Sequence, residues 1–351
     1  MKTFENSFRL VEQAIVDHAF PSAALAIGRK NELYLKEACG YTTLFTPQKK
    51  ANFETLYDMA SLTKIFSATL ITLRLIEEGR VCLGDTINRF FNDAPTDKKE
   101  ITILELMTHT SGLPANVMLE DFNSNPKEVV KTILSLPLSV PRGMETIYSC
   151  SGFILLGKIL EKICDKPLDT LMNNYVTEPL EMKSTTFRPQ GDNIAATEYI
   201  KEMGHCITGV VHDENARFLS GIAANAGVFS TIDDCIKLAQ MLANSGVAGG
   251  RHFLQEATLA RAIVNFTPGK SHNRGLGFKL AGGESDYIGD LFSEHSFGHT
   301  GFTGTSLVVE PESGLFAVLL TNRIHPVRDN VKILRFRQVL HNVIKSDFGS
   351  L

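Results

Sequence analysis

The sequence predicts an α+β protein in which both chain ends build one antiparallel sheet, flanked by terminal helices, and a mainly helical lobe is inserted between them. The prediction follows from strand-like hairpins near the two termini and from helical periodicity across residues 62–245. No repeat, low-complexity tract or polar linker separates the parts. We therefore expect an α/β domain from residues 1–60 and 205–351, an inserted lobe from residues 61–204, and one shared interface.

The individual elements are predicted from apolar spacing and turn residues. Residues 4–18 carry apolar side chains at helical spacing, and a second amphipathic helix is expected over about 327–344. Two pairs of apolar runs around short turns predict β-hairpins: 23–27 with 33–36, and 306–310 with 315–321. Between the hairpins, the predicted helices are 62–79, 101–108, 152–164 and 231–243.

Composition excludes several classes of function. Of 351 residues, 43% are hydrophobic and 21% are charged, which is typical of a globular protein and not of a disordered chain. The 35 Lys and Arg residues against 39 Asp and Glu give a formal charge of −4, too balanced for a surface that binds nucleic acid or anionic membrane. The most apolar stretch, 62–76, contains Lys64 and Arg74, so no membrane span is predicted.

The N-terminus and the cysteines bear on cellular location. The first residues contain Glu5, Arg9 and Glu12 and lack the apolar segment of a secretory signal. The 6 cysteines are scattered without a CxxC pair, which is typical of free thiols in a reducing compartment. We therefore expect a cytoplasmic protein.

Ser61 and Lys64 form an SxxK pair at the start of an apolar helix. Residues three apart lie on the same helix face, so the Lys64 amine can approach the Ser61 hydroxyl. The helix N-terminus favours an anion near Ser61, and burial disfavours the charged form of Lys64, which makes it a better proton acceptor. The alternative is an N-cap serine followed by a lysine whose charge reaches solvent, and the pair alone favours that alternative.

Two further elements carry candidate groups. Tyr148 follows a Pro-Arg-Gly turn, where nearby cations would let its phenol act as a general base; the alternative is a half-buried aromatic residue with one hydrogen bond. His299 lies among Gly298, Gly301 and Gly304, where backbone N–H groups of an edge strand can hold an oxyanion; the alternative is a bulged edge strand. Considered singly, neither element indicates catalysis.

Taken together, these elements resemble one family. Ser61 to Lys64, Tyr148 to Cys150 and His299 to Gly301 match, in order and spacing, the three motifs of the serine β-lactamase and penicillin-binding-protein superfamily. The similarity is greatest to the class C branch, which includes family VIII esterases, DD-peptidases and D-amino-acid-specific peptidases. Further similar segments are YDMASLTK (57–64), LELMTHTSGLP (104–114), VVHDENA (210–216), FGHTGFTGT (297–305) and LLTNRIHP (319–326). The resemblance runs from about residue 10 to residue 345.

The resemblance implies a β-lactamase/transpeptidase-like fold and a role for each matching residue. Ser61 corresponds to the nucleophile that forms an acyl-enzyme, and Lys64 to the lysine that takes or shuttles its proton. Tyr148 corresponds to the group that protonates the leaving group and activates water. The backbone N–H groups of Ser61 and Phe302 correspond to the oxyanion hole. The positions that correspond to substrate contacts are Cys150, His299, Thr300 and Gly301.

Two positions depart from class C β-lactamases. Cys150 stands where the family usually has asparagine, and a thiol cannot reproduce the contact of an amide to a substrate amide. His299 stands where lysine is usual, as it does in many esterase-like and peptidase-like relatives. Histidine is mostly neutral at pH 7, so it attracts a substrate carboxylate less strongly. Both changes lower the expectation of efficient β-lactam hydrolysis.

The resulting hypothesis is a serine hydrolase, with its active site between the two lobes, that transfers an acyl group to water without cofactor or metal. The expected substrate is a small-molecule ester, amide or peptide, with a cell-wall muropeptide among the candidates; a DD-carboxypeptidase or β-lactamase is the second choice. A non-catalytic ligand-binding or scaffold relative is the rival of another class. His109 and His212 are expected to support the site, and His295 with His299 lacks the pattern of a metal site.

Overall fold

The computed structural model describes residues 4–115, 117–283 and 286–350, and at its centre lies a seven-stranded antiparallel sheet. The strands are β1 (Ser22–Arg29), β2 (Glu32–Gly40), β3 (His272–Arg274), β4 (Lys279–Gly283), β5 (Phe297–Thr300), β6 (Ser306–Glu310) and β7 (Leu315–Thr321). Their order across the sheet is β2-β1-β7-β6-β5-β4-β3.

The pairing of β1 with β7 joins the two ends of the chain. Ala23 lies opposite Thr321, and Arg29 lies opposite Leu315. On either side, β1 continues into β2 and β7 follows β6 through the two predicted hairpins. Because the first and last strands are neighbours, everything between residues 40 and 272 is inserted into the sheet, and the predicted α+β fold class is confirmed.

Helices account for most of the inserted segment. The described residues contain α1 (Glu5–Val16), α2 (Leu70–Glu77), α3 (Ile87–Phe90), α4 (Ile103–Met107), α5 (Val129–Ser135), α6 (Cys150–Cys164), α7 (Leu168–Met172), α8 (Glu214–Phe218), α9 (Ile232–Ala243), α10 (Glu256–Ala262) and α11 (Lys332–Phe348). Short 3-10 turns lie at Ala60–Leu62, Leu119–Asp121 and Pro126–Glu128, and π-helical turns at Ile65–Thr69 and Asn173–Thr177. None of the described helices combines the length and the apolarity needed to cross a bilayer.

Both faces of the sheet are covered by apolar side chains. On one face, α1 and α11 pack against β1 and β7, with Val11 and Leu340 in the same buried cluster as Leu25. On the other face, Ala26 of β1 belongs to a larger cluster that extends through α9 into the helical lobe and includes Leu155. The two lobes therefore share one apolar core, while the division at residues 60 and 205 stays a prediction.

Three boundaries differ from the predicted ones. α6 begins at Cys150, two residues earlier than expected, because the Ser149 side chain accepts a hydrogen bond from Gly152 N and caps the helix there. The last helix begins at Lys332 instead of near residue 327. The predicted helix after Ser61 is a 3-10 turn and a π-helical turn that lead into α2.

Asn322, directly after β7, connects three separate parts of the chain. It is 1% exposed, and its Oδ1 accepts hydrogen bonds from N and Oγ of Ser22 at 3.1 and 2.8 Å. Its Nδ2 donates to the carbonyl oxygens of Thr42 and Ala196 at 3.1 and 3.0 Å. The Asn322 amide therefore links β1, the segment after β2 and the inserted lobe by hydrogen bonds and fixes their relative positions.

We predict that Asn322→Ala lowers the free energy of unfolding by about 2–4 kcal/mol, because it leaves buried donors and acceptors without partners. Chemical denaturation followed by circular dichroism measures the change. The control is Asn92→Ala at an exposed position, where a change within about 0.5 kcal/mol is expected. Equal, small effects of both substitutions would contradict this role of Asn322.

Candidate active site

Ser61 lies in the middle of the 3-10 turn Ala60–Leu62, so it is not the first residue of a regular helix as the sequence suggested. The preceding residue, Ala60, has a φ of +46°, a conformation that costs energy for a residue with a Cβ. The turn is held by Asp58, whose Oδ1 accepts a hydrogen bond from Ala60 N at 2.8 Å. This strained turn leaves Ser61 half-buried at the edge of a cleft.

Lys64 is fully buried, and its ammonium makes three contacts. Nζ lies 3.2 Å from Ser61 Oγ, 3.0 Å from the carbonyl oxygen of Asn225 and 3.8 Å from Cys150 Sγ. Burial acts to lower the pKa of Lys64, but Cys150 and Tyr148 outweigh it, and the net pKa is raised. Burial thus disfavours the charged form of Lys64, as expected, but the net shift of its pKa is upward, so Lys64 is a charged donor.

Tyr148 lies between two cations. Lys64 Nζ is 4.8 Å from the centroid of its ring, and the guanidinium carbon of Arg274 is 5.4 Å from it. The hydroxyl oxygen of Tyr148 is buried and has no partner with good hydrogen-bond geometry among the described residues, although it interacts with the Lys64 ammonium. A buried hydroxyl without a well-placed partner costs free energy, so such a group needs an explanation. A role in giving and taking a proton during a reaction would supply one.

The loop that carries Tyr148 is held by His109, as expected. Ser149 N donates to His109 Nδ1 at 3.1 Å, Ile147 N donates to the His109 carbonyl oxygen at 2.8 Å, and the rings of His109 and Tyr148 lie 4.5 Å apart. Burial lowers the pKa of His109 well below its usual value, and nearby Arg274 and Lys64 act in the same direction. The imidazole is therefore neutral and accepts a hydrogen bond from the loop.

The third element, β5 with the following turn, is bonded to the residues just before Ser61. Thr303 Oγ1 donates to the Asp58 carbonyl oxygen at 2.7 Å, and Thr305 Oγ1 donates to the Met59 carbonyl oxygen at 3.2 Å. A Cβ on Gly301 would lie 2.6 Å from Met59 O, so only glycine allows this approach. The predicted oxyanion donor, Phe302 N–H, belongs to the residue that follows.

His299 is 1% exposed, and its Nδ1 lies 2.8 Å from the carbonyl oxygen of Thr300. That contact requires a proton on Nδ1, because a carbonyl oxygen only accepts hydrogen bonds. Burial lowers the pKa of His299 well below its usual value, with further lowering by Arg274 and Lys64. The imidazole is neutral at pH 7, in agreement with the sequence-based expectation, while Thr300 and Gly301 line the cleft.

The cleft between the two lobes has a volume of about 600 Å³ and is strongly basic. Ser61, Tyr148, His299 and Phe302 line it. The remaining lining residues include one carboxylate, Asp329, and five Arg or Lys side chains: Arg274, Lys279, Arg323, Arg328 and Arg337. Sequence analysis missed all five of these cations, because they are scattered along the sequence and only the tertiary structure brings them to one cavity.

Asn225 is a second functional candidate that sequence analysis missed. Its carbonyl oxygen accepts from Lys64, and its Nδ2 donates to Asp213 Oδ1 at 3.0 Å. The sequence feature that could have indicated it is an asparagine inside the run Ala-Ala-Asn-Ala-Gly (223–227). A polar side chain in such an apolar segment is expected to be buried and hydrogen-bonded. His212 has the expected supporting role, since its N–H donates to Asp58 and its ring stacks on Phe302 at 5.9 Å.

The fold and this arrangement agree with a comparison against known families. A protein-family model described as Beta-lactamase matches residues 8–341. The chain belongs to the Beta-lactamase family. Family membership covers nearly the whole chain, and it makes the protein a serine hydrolase of the β-lactamase and penicillin-binding-protein superfamily.

This Beta-lactamase-family protein is similar to named proteins in sequence and to solved structures in fold. Proteins from Salmonella typhimurium and Salmonella enteritidis, provisionally named D-alanyl-D-alanine carboxypeptidases, are 30% and 29% identical over 357 positions, covering 91% of this chain and 82% of each relative. EstCE1, a hydrolase with promiscuous acyltransferase activity, shares the fold with a TM-score of 0.77, 21% identity and coverage of 97% and 98%. An octameric penicillin-binding protein homologue from Pyrococcus abyssi has a TM-score of 0.75, 19% identity and coverage of 96% and 77%.

We predict that Gly301→Ala lowers kcat/KM by about 10²–10³-fold, because the added Cβ pushes the third element away from Met59 and Ser61 and displaces an oxyanion donor. Steady-state hydrolysis of an activated ester measures the effect. The matched control is Gly84→Ala, since a Cβ at Gly84 meets nothing within 4 Å. Unchanged kinetics in a folded Gly301→Ala protein would show that the close approach is not required.

Proposed function

We propose that this protein is a serine hydrolase that forms an acyl-enzyme on Ser61 and releases the acyl group to water. The observation that supports the proposal most directly is the contact of a fully buried ammonium, Lys64 Nζ, with Ser61 Oγ at 3.2 Å. A buried lysine without a carboxylate partner is expensive and is retained where it serves chemistry. No ion pair within the described residues holds Lys64.

The proton movements follow from the charge on Lys64. Because Lys64 is an ammonium at rest, it cannot accept the Ser61 proton until it has given one of its own away. The acceptor we propose is the Tyr148 oxygen after it has lost its proton, a form whose negative charge the nearby Lys64 and Arg274 would stabilise. As Ser61 Oγ attacks the carbonyl carbon, its proton passes to Lys64 and one Lys64 proton passes to Tyr148.

The remaining steps return Ser61, Lys64 and Tyr148 to their starting protonation states. Tyr148 gives its proton to the leaving oxygen or nitrogen as the bond to the carbonyl carbon breaks, which leaves the ester on Ser61. Water then attacks that ester, loses a proton to Tyr148, and the proton returns to Ser61 through Lys64 as the acid is released. The N–H groups of Ser61 and Phe302 are the proposed donors to the negative oxygen in both halves of the reaction.

We predict that a fluorophosphonate adds one adduct to the wild-type protein and none to Ser61→Ala, because only Ser61 is activated. Intact-mass spectrometry measures the adduct, and Ser124→Ala, at an exposed serine, is the control that should react as wild type does. A wild-type protein without adduct, or an equal adduct on Ser61→Ala, would favour the non-catalytic binding or scaffold relative.

The proposed substrate carries a carboxylate close to the bond that is cleaved, as in a D-alanyl-D-alanine peptide. Arg274 supports this choice, since it is 4% exposed and its Nε and Nη1 have no hydrogen-bond partner among the described residues. Burial lowers the pKa of Arg274 to about 10, so it is charged at neutral pH. A substrate carboxylate would supply the missing partner of this buried charge. The names of the Salmonella relatives agree with this substrate class.

We predict that Arg274→Met raises KM for an N-acyl-D-alanyl-D-alanine by about 10–10²-fold, the equivalent of one charge-assisted hydrogen-bonded pair. The same peptide with its carboxylate blocked as an amide should change little. Initial rates on both peptides measure the difference, and Arg251→Met, at an exposed arginine, is the control. Equal losses on both peptides would contradict a carboxylate at Arg274.

Two finer assignments belong to the same proposal. We place the chain in the class C-like branch, supported by the tyrosine in its second element at Tyr148. We also propose action in the cytoplasm on small peptides or esters, supported by six cysteines without the spacing of a disulfide framework. The first assignment concerns the branch of the family, and the second concerns location and substrate. Neither changes the proposed chemistry at Ser61.

A further inference from the structure

Arg337 of α11 is buried beneath the turn that joins β5 to β6. It is 4% exposed, and its Nη2 donates to the carbonyl oxygens of Gly301 and Thr305 at 2.7 and 2.8 Å. Gly301 N donates to the same Thr305 oxygen at 2.7 Å, so a single guanidinium nitrogen bridges both sides of the turn. The turn is therefore fixed from the side of the terminal helix.

One of these two carbonyls belongs to the peptide group of the proposed oxyanion donor. The Gly301 C=O and the Phe302 N–H lie in one planar peptide, and in a trans peptide they point in opposite directions. A hydrogen bond that holds Gly301 O on the α11 side therefore fixes the direction of the Phe302 N–H as well. Because hydrogen bonds through one peptide polarise each other, a cation on the carbonyl also strengthens the N–H as a donor.

The charge of Arg337 is not explained by an ion pair. Within the described residues no carboxylate lies within ion-pair distance of Arg337, and the charged group with the largest effect on its pKa is another arginine, Arg323. Burial and the charge of Arg323 lower the pKa of Arg337 to about 9, which leaves it protonated at neutral pH. Burying an unpaired charge costs several kcal/mol, and a neutral side chain could fill the same space.

Arg323 holds the next carbonyl along the chain. Its Nε donates to Phe302 O at 2.7 Å, and its guanidinium carbon lies 4.3 Å from the centroid of the Phe302 ring. Its Nη1 donates to the carbonyl oxygens of Arg328 and Asn330 at 2.7 and 2.6 Å. Both peptide groups of Phe302 are thus held by arginines, but only Arg337 acts on the peptide that contains the N–H donor.

We propose that Arg337 is a positioning residue, which orients and polarises the Gly301–Phe302 peptide so that Phe302 N–H serves as the second oxyanion donor. The inference rests on the proposed acyl transfer at Ser61. It adds a requirement for a positive charge on the α11 side of the donor peptide.

Two other roles of Arg337 make different predictions. If Arg337 were a substrate ligand, only substrates with a carboxylate would lose affinity on its removal, because its Nε lacks a partner and it lines the cleft. If it only stabilised the fold, its removal would lower the melting temperature without changing the properties of a bound acyl group. Positioning instead changes the hydrogen bond to the acyl carbonyl for every substrate.

The test compares Arg337→Met, Arg337→Gln and Arg337→Lys with wild type. A slowly hydrolysed ester forms the acyl-enzyme on Ser61, and infrared difference spectroscopy records the stretching frequency of the acyl carbonyl. We expect a higher frequency in Arg337→Met, because the carbonyl is less strongly hydrogen-bonded, a kcat about 10–10²-fold lower for anionic and neutral substrates alike, and little change in KM. Arg337→Lys, which keeps the charge, should fall between Arg337→Met and wild type.

The control is Arg335→Met, which makes the same substitution at an exposed position of the same helix and should leave frequency and kcat unchanged. A folded Arg337→Met protein with the wild-type carbonyl frequency overturns the inference, as does a loss confined to substrates with a carboxylate. If Arg337→Met does not fold, the carbonyl frequency is measured in Arg337→Gln instead. A wild-type frequency in Arg337→Gln would also overturn the inference. Failure of the proposed function is recognised separately, since wild type would then form no acyl group on Ser61.

Discussion

The burial of the Lys64 ammonium is the constraint on which the rest of the site depends. A charge removed from water costs several kcal/mol unless neighbouring groups replace its hydration. Here Ser61 Oγ and Asn225 O accept hydrogen bonds, with Cys150 Sγ at 3.8 Å, and the aromatic ring of Tyr148 lies 4.8 Å away. These groups come from three separate parts of the chain, around Ser61, around Tyr148 and Cys150, and around Asn225, so the ammonium can be accommodated only when those parts have assembled correctly.

The sheet brings these elements together because its first and last strands are neighbours. The pairing of β1 with β7 places the C-terminal strands beside the segment that leads to Ser61, and Thr303 and Thr305 then donate to the carbonyls of Asp58 and Met59. The strained Ala60 conformation is tolerated because Asp58 accepts its N–H. The proposed nucleophile and the strand of the proposed oxyanion donor are therefore fixed relative to each other by hydrogen bonds that span more than 240 residues of sequence.

The sequence was sufficient for the features that depend on local patterns. Hairpin turns and apolar runs are local features, so the strands near the two chain ends were predictable. The contact of Lys64 with Ser61 was also predictable, because the two residues are three positions apart. The 3-10 turn at Ser61 was not predictable, because the positive φ of Ala60 depends on Asp58 and on the third element. The charge state of Lys64 was missed for a related reason, since the groups that raise its pKa, Cys150 and Tyr148, lie about ninety residues away.

The cations of the cleft show why overall charge says little about a binding site. The chain carries a formal charge of −4, yet Arg274, Arg323 and Arg337 all line one cavity. Each is held by groups without formal charge: Arg274 against the ring of Tyr148, Arg323 and Arg337 on backbone carbonyls. No ion pair within the described residues joins a carboxylate to these three arginines, although Asp329 lines the same cavity and acts on Arg323. The cavity therefore keeps a net positive potential that low-dielectric walls concentrate. The anionic substrate proposed above would be attracted by that field before it touches any residue, and the same field would stabilise the negative oxygen of the proposed reaction at Ser61.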